Sequence, residues 1–214
     1  MYSHPSRIAA FCLALFVGSA AVGVAGEKLR FSTVVIDAGH GGKDGGSVWN
    51  GLVEKKLCLD VAKRVETALK ERGLKTVMTR RADTFVELGQ RARIANRIPL
   101  SVFVSIHFNG SRKTIISGGE VYYRSSRGKW LASAVSRSIK SKIAGGTRGV
   151  FHASYKVLRE TRMPAVLVEC GYLSNRREAL RCADPAHRQK LADAIVSGLL
   201  AARRKKMRTG FHFL

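Results

Sequence analysis

The apolar positions of this chain change period several times between residues 31 and 204. Phe31 to Asp37 is a short β-branched run that predicts a strand. A glycine-rich stretch, "AGHGGKDGG", follows it. Leu57, Val61, Val65, Ala68 and Leu69 then recur at helical spacing across Leu52 to Arg72, until Gly73 stops them. Leu74 to Thr79 predicts another strand. Val86 to Arg97, with Leu88, Ala92 and Ala95 on one face, predicts a helix that Pro99 closes. "SVFVSIH", Ser101 to His107, is apolar at nearly every position, the pattern of an interior strand covered on both faces. Glu120 to Tyr123 alternates and reads as an edge strand, Trp130 to Ile143 as an amphipathic helix, Tyr155 to Leu158 as a short strand, and Ala165 to Cys170 as a second dense interior strand. From Ala186 to Arg204, Leu191, Ala194, Ile195, Leu199 and Leu200 share one stripe of a closing helix.

Strands alternating with helices predict an α/β fold: a single domain with a largely parallel or mixed central sheet of about six strands and helices on both faces. No internal repeat, low-complexity tract or Pro/Ser-rich linker divides it. Residues 1–25 are of another kind. They carry Arg7 as their only formal charge, then an apolar run from Ile8, then small residues around Ala20, Ala21 and Ala25, which is the order of a secretory signal peptide. The competing reading is a transmembrane anchor, but a run of about 18 residues rich in Gly and Ala is marginal for crossing a bilayer. The expected organisation is a signal peptide over 1–25, one domain over 26–204 and a basic tail over 205–214. The product would be an exported monomer, in the periplasm or at the cell wall and beyond, with no stable membrane anchor after cleavage.

Composition is ordinary for a globular protein, 45% hydrophobic and 25% charged, which excludes a disordered chain. Charge is not ordinary. The formal net charge is +23, and loss of Arg7 with the leader lowers it by only one. Such an excess calls for an anionic partner. Export favours the carboxylate- and phosphate-bearing polymers of a bacterial wall over nucleic acid. Cys12 lies in the leader, which leaves Cys58, Cys170 and Cys182, an odd number in an exported chain, so at least one is a free thiol or bonds another molecule. A Cys170–Cys182 pair stays open. The chain lacks CxxC and finger-type Cys/His spacing, which argues against a structural zinc site.

Ligands collect at the carboxyl ends of strands in sheets of this kind. His40 follows the first strand, His107 ends "SVFVSIH", and Glu169 ends "AVLVEC". His4 falls in the leader, His187 begins the last helix, His212 is in the tail, and His152, in a Gly-rich loop, is a weak candidate for substrate contact. A catalytic zinc commonly takes two imidazoles, one carboxylate and a water. Two carboxylates compete for the place. Glu54 stands near the start of the helix after the His40 turn and can fold back over the strand ends. Glu169 is embedded in an apolar strand, where an unpaired carboxylate is costly, so it needs a salt bridge to an arginine or a catalytic purpose.

The blocks "VIDAGHGGKDGG", "GLVEKKLCLDVA", "SVFVSIHFNG" and "MPAVLVECGYLSN", in that order over most of residues 33 to 203, resemble the zinc-dependent N-acetylmuramoyl-L-alanine amidases of the cell-wall type. The resemblance implies that His40, Glu54 and His107 are ligands of one Zn2+ and that Glu169 is the catalytic glutamate. It implies a peptidoglycan hydrolase that cuts the amide between the lactyl group of N-acetylmuramic acid and the L-alanine of the stem peptide. The chemistry agrees: zinc with two neutral imidazoles and one carboxylate keeps a net charge near +1 and can lower the pKa of water to about 7. Glu169 would take the water proton and return it to the departing amine.

Other positions carry two readings each. Asp37 either accepts a hydrogen bond from a ligand imidazole or is a strand-end carboxylate. Asn109 either binds substrate or shapes the turn after the ligand strand. Phe108 stands where the family usually has a small residue, and either lines the cleft against a sugar or packs in the core. Ala38 replaces a frequent proline. Cys170 adjoins Glu169, but strand alternation turns its thiol to the opposite face, which argues against a cysteine nucleophile. Division-associated relatives carry an added helical segment after the strand matching Glu120 to Tyr123, and it plugs the site. Here that interval holds one short helix and a Gly-rich turn, so the cleft is expected to be open without an activator. The rival functions are a zinc peptidase cutting stem-peptide bonds and a non-catalytic basic protein that binds the wall.

Overall fold

The structure is a computed structural model that describes residues 29–203; the expected signal peptide over 1–25 and the basic tail over 205–214 lie outside the described residues. Its centre is a six-stranded sheet. The strands are β1 (Thr33–Ala38), β4 (Lys75–Met78), β5 (Ser101–Asn109), β6 (Gly119–Tyr123), β7 (Thr147–His152) and β8 (Ala165–Tyr172), in the spatial order β4-β1-β5-β8-β6-β7. A small hairpin, β2 (Val48–Trp49) with β3 (Leu52–Val53), stands apart from it. β4, β1, β5 and β8 run parallel, and β6 lies antiparallel to β8.

Helices α1 (Glu54–Glu71), α3 (Ser126–Lys142) and α6 (Pro185–Ala202) cover one face. They pack Leu57, Val61, Val65, Leu131, Val135, Leu191 and Ile195 onto Val34, Ile36, Val104, Ile106, Val166 and Val168 of the sheet. The other face carries a smaller cluster, in which Val35, Phe103 and Leu167 meet Ala95 of α2 (Leu88–Asn96) and Val157 and Leu158 of α4 (Lys156–Glu160). α5 (Arg176–Ala183) follows β8. Burial on both faces accounts for the unbroken apolar runs of β1, β5 and β8. α1 ends where the sequence says it should: Gly73, at φ +73°, lets the Leu74 N–H reach back to the Leu69 carbonyl at 3.1 Å and its own N–H to Lys70 at 2.9 Å.

Three local expectations are corrected. Tyr155 to Leu158 is not a strand: Lys156–Glu160 forms α4, which turns Val157 and Leu158 inward against the second cluster. The strand beside β6 is instead β7, so Glu120 to Tyr123 lies between β8 and β7 and the edge belongs to Thr147–His152. The helix after the His40 turn begins at Glu54, because Leu52 and Val53 are taken up in the hairpin. Cys58, Cys170 and Cys182 are all buried free thiols, so the pairing left open for Cys170 and Cys182 is not made. No helix among the described residues is long and apolar enough to cross a membrane.

The topology gathers strand ends. β1, β5 and β8 finish side by side, and the register sets Asp37 opposite Ser105, His107 opposite Glu169, and Glu169 opposite Glu120. Residues matched in this way project from the same face of a sheet. The crevice under α2 and α4 therefore receives an imidazole and two carboxylates from three adjacent strands.

Candidate metal centre

His40 sits at φ +59° in the turn after β1, a conformation uncommon for a residue with a side chain. Two buried arginines hold the turn by its carbonyls. Arg80 donates to Ala38 O at 2.9 Å and Gly39 O at 2.6 Å, and Arg91 donates to Ala38 O at 2.6 Å and His40 O at 2.8 Å. Arg91 is in turn paired with Asp37 at 2.9 Å, and Thr79 and Ser105 hydroxyls each donate to Asp37 at 2.6 Å. Asp37 fixes the arginine beneath the turn and bonds neither imidazole. Gly39 has a separate necessity, since a Cβ there would lie 2.4 Å from the His107 ring.

Glu54, the first residue of α1, reaches back over the strand ends. Its Oε2 accepts the Ser47 N–H at 2.7 Å, and its Oε1 accepts the Phe108 N–H at 3.0 Å. That same Oε1 lies 3.0 Å from His40 Nε2 and 3.0 Å from His107 Nδ1. The ligand atoms of His40, Glu54 and His107 all fall within 4.8 Å of one another, and the two rings are nearly perpendicular at 78°. Donors around a tetrahedral ion at about 2.1 Å sit roughly 3.4 Å apart, so the group is spaced for a small divalent cation. Glu54 and His40 also shift each other's titration. Burial raises the Glu54 pKa, yet the two imidazoles outweigh it and hold the carboxyl well below the usual range. Burial lowers the His40 pKa, and Glu54 and Asp44 outweigh that and raise it. Each group is stabilised by an opposite charge at the point where they meet.

Asp44 is a participant that sequence reasoning missed. Its Oδ2 lies 2.8 Å from His40 Nδ1, and its Oδ1 accepts the Gly46 N–H at 3.1 Å. An Asp among glycines reads as a turn former. The available signal was its spacing, four residues after His40 in a turn that doubles back.

Glu169 faces the same crevice beside His107. Its Oε2 is buried and has no hydrogen-bond partner, and among the described residues it makes no salt bridge. Burial, reinforced by the negative charges of Glu54 and Glu120, pushes its pKa well above the ordinary carboxylate range. That is the environment of a group that exchanges protons. The cleft, about 270 Å³, is lined by these residues with Asn109, Leu88, Tyr155 and Val157.

The remaining candidates separate. Asn109 lines the cleft and donates to Glu120 at 3.3 Å, while its Oδ1 accepts the Gly110 N–H at 2.8 Å, so it shapes the turn and also faces the cavity. The Phe108 ring is buried in the core on the opposite face, and its N–H orients Glu54. His152 is not brought to the site: it ends β7, exposed, beside Arg124 at 3.1 Å. Glu120, also unforeseen, is a buried hub that accepts from Tyr122 at 2.6 Å, Arg148 at 2.8 Å and Tyr172 at 3.0 Å. Cys170 points to the opposite core, away from Glu169.

Residues 34–201 match the family model described as N-acetylmuramoyl-L-alanine amidase. The chain is 38% identical over 179 residues to the uncharacterised protein YqiI of Bacillus subtilis (strain 168), covering 82% of this chain and 86% of that one. It is 35% identical over 173 residues to the N-acetylmuramoyl-L-alanine amidase LytC of the same organism, covering 79% of this chain but 35% of LytC. Among solved structures, the N-acetylmuramoyl-L-alanine amidase AmiC2 of Nostoc punctiforme superposes with a TM-score of 0.76 at 42% identity, covering 79% of this chain and 95% of that one.

Proposed function

We propose, from the premise that this chain belongs to the N-acetylmuramoyl-L-alanine amidase family, that it is a zinc-dependent peptidoglycan hydrolase cutting the amide between the lactyl group of N-acetylmuramic acid and L-alanine. The observation that carries this reading is the convergence of His40 Nε2, His107 Nδ1 and Glu54 Oε1 beside the unpartnered Oε2 of Glu169. Two imidazoles and one carboxylate suit zinc among common metals and leave a fourth position for solvent or substrate. Zinc held there supplies Lewis-acid polarisation of a carbonyl and acidifies water towards a pKa of about 7.

The residues divide the remaining work. Asp44 accepts the Nδ1–H of His40 and so presents the Nε2 lone pair to the centre. The Ser47 and Phe108 N–H groups fix the Glu54 carboxylate. Burial first, then the charges of Glu54 and Glu120, raises the Glu169 pKa, and a cation held by the three ligands would favour the ionised form that accepts a proton. Glu169 then takes the proton of the attacking water as the new C–O bond forms at the lactyl carbonyl. It gives that proton to the alanine nitrogen as the C–N bond breaks, releasing a carboxylate on the sugar and an amine on the peptide.

α3, the helix between β6 and β7, buries Leu131, Val135 and Ile139 in the core layer opposite the cleft, which supports a site open without an activator. The leader-like residues 1–25 support export, and the net charge of +23 supports retention of a monomeric enzyme on anionic wall polymers. The test is digestion of purified sacculi by the purified protein, with and without chelator, with the fragments identified by mass spectrometry. Intact stem peptides with a free L-alanine amine support the reading. Fragments still carrying alanine on the sugar mark a peptidase, and no release with zinc supplied marks a binding protein.

A further inference from the structure

At the tip of the β2–β3 hairpin, where Asn50 stands, lies a second cavity, about 740 Å³, lined by Asn50, Thr114, Ser174, Arg176, Arg177 and Arg181. Its charge is nearly all positive. Arg176 and Arg177 are exposed and make no salt bridge among the described residues. The Arg181 Nε is buried without a partner, and its Nη2 reaches Glu178 only at 3.4 Å. Glu178, whose oxygens also accept the Gly118 N–H at 2.9 Å and the Tyr172 N–H at 2.7 Å, pairs with Arg181 alone, which leaves the charges of Arg176 and Arg177 uncompensated. The loop that walls the cavity adds Arg112 and Lys113, both exposed.

The cavity is joined to the metal centre by short, rigid connections. The Leu173 N–H donates to Asn109 O at 2.8 Å, and the Ser111 N–H to Ser174 Oγ at 3.0 Å, so the turn that leaves the cleft at Asn109 becomes the cavity wall. Ser47 lines the cleft and Asn50 lines the cavity. These two positions are three residues apart along the chain, so their Cα atoms are separated by at most roughly 10 Å. A four-residue peptide stretches to roughly 13 Å.

We infer that this arginine cavity is a subsite for the carboxylate end of the stem peptide, a proposal that rests on the amidase reading above. A peptide joined to the sugar through its N-terminal alanine ends in a free carboxylate. With its amide at the metal centre, a stem of about four residues has the length to place that carboxylate among Arg176, Arg177 and Arg181. Guanidinium groups bind carboxylates in paired, directional hydrogen bonds.

The test compares two synthetic N-acetylmuramoyl tetrapeptides, one with a C-terminal carboxylate and one with a carboxamide, on zinc-supplied wild type, R176Q/R177Q and R176K/R177K. Wild type is expected to show a KM about ten-fold lower for the carboxylate, with kcat alike for both. The Gln variant treats both peptides alike, and the Lys variant recovers part of the preference. Equal KM values in wild type, or a preference that survives in R176Q/R177Q, overturn the subsite. So does a Gln variant that keeps the preference and loses only retention on phosphate-bearing wall polymer, which assigns the cavity to that polymer. If neither substrate is cleaved by wild type, the amidase reading fails on its own. Calorimetry with the free tetrapeptide then decides the cavity: binding lost in R176Q/R177Q supports the subsite, and no binding to wild type overturns it.

Discussion

His107 and Glu169 occupy matched positions on adjacent parallel strands and project into the same crevice. One joins the group that can hold a metal; the other keeps a buried oxygen without a partner. On the proposed mechanism that juxtaposition would separate cation binding from proton transfer, so the two are expected to fail independently. Glu169→Gln should retain metal at wild-type stoichiometry while kcat falls by about 10²- to 10⁴-fold. Metal analysis beside a muropeptide assay reads both, and a variant that hydrolyses normally removes Glu169 from the mechanism. Thermal stability should not fall, since the carboxyl lost has no partner on Oε2.

Asp44→Ala should weaken metal binding by about 10- to 100-fold through loss of the His40 Nδ1 contact. Competition against a zinc-binding dye measures it. Asp37→Asn should differ in kind: Asp37 bonds Arg91, Thr79 and Ser105 rather than an imidazole, so its loss costs folding stability before metal affinity.

Gly39→Ala places a methyl group 2.4 Å from the His107 ring. The ring must move, and metal affinity and activity should fall together by more than about ten-fold. Circular dichroism should show the helices and sheet retained. Normal zinc binding by this variant contradicts the packing described.

Stability at low pH should depend on Glu66 of α1. Its carboxylate accepts Arg81 at 2.6 and 2.8 Å, with Lys70 and Thr76 each at 3.1 Å, and Arg81 foremost holds its pKa down to about 2. A folded-state pKa below the unfolded one contributes stability that is present above the unfolded value and lost as pH falls through the folded one. Arg81 is well exposed, which limits the contribution to about 1 kcal/mol. The stability gap between wild type and Glu66→Gln should hold at neutral pH, shrink below about pH 4.5 and vanish near pH 2. A gap independent of pH contradicts the pairing.

How much of this was legible in the sequence follows from what each signal depends on. β1, β5 and β8 could be read from their unbroken apolar runs and α1 from its helical period; His40 and His107 stood out at strand ends, whereas the choice of Glu54 over Glu169 as the ligand carboxylate came from the family resemblance. β7 could not be read: Gly149 and exposed residues break its alternation, and it owes its place to pairing with β6. Val157 and Leu158 fit a strand or a helix equally, and packing against α2 decides for α4. Asp44 and Glu120 escaped notice because their roles come from contacts across the fold or around a turn, with no period of their own.

The most direct test is anomalous diffraction at the zinc edge from crystals of the purified protein. One peak, about 2.0–2.3 Å from His40 Nε2, His107 Nδ1 and a Glu54 oxygen, with Glu169 facing its remaining position, is the expected result. No peak between those three side chains in zinc-supplied crystals, or a zinc ion held by other residues, contradicts it.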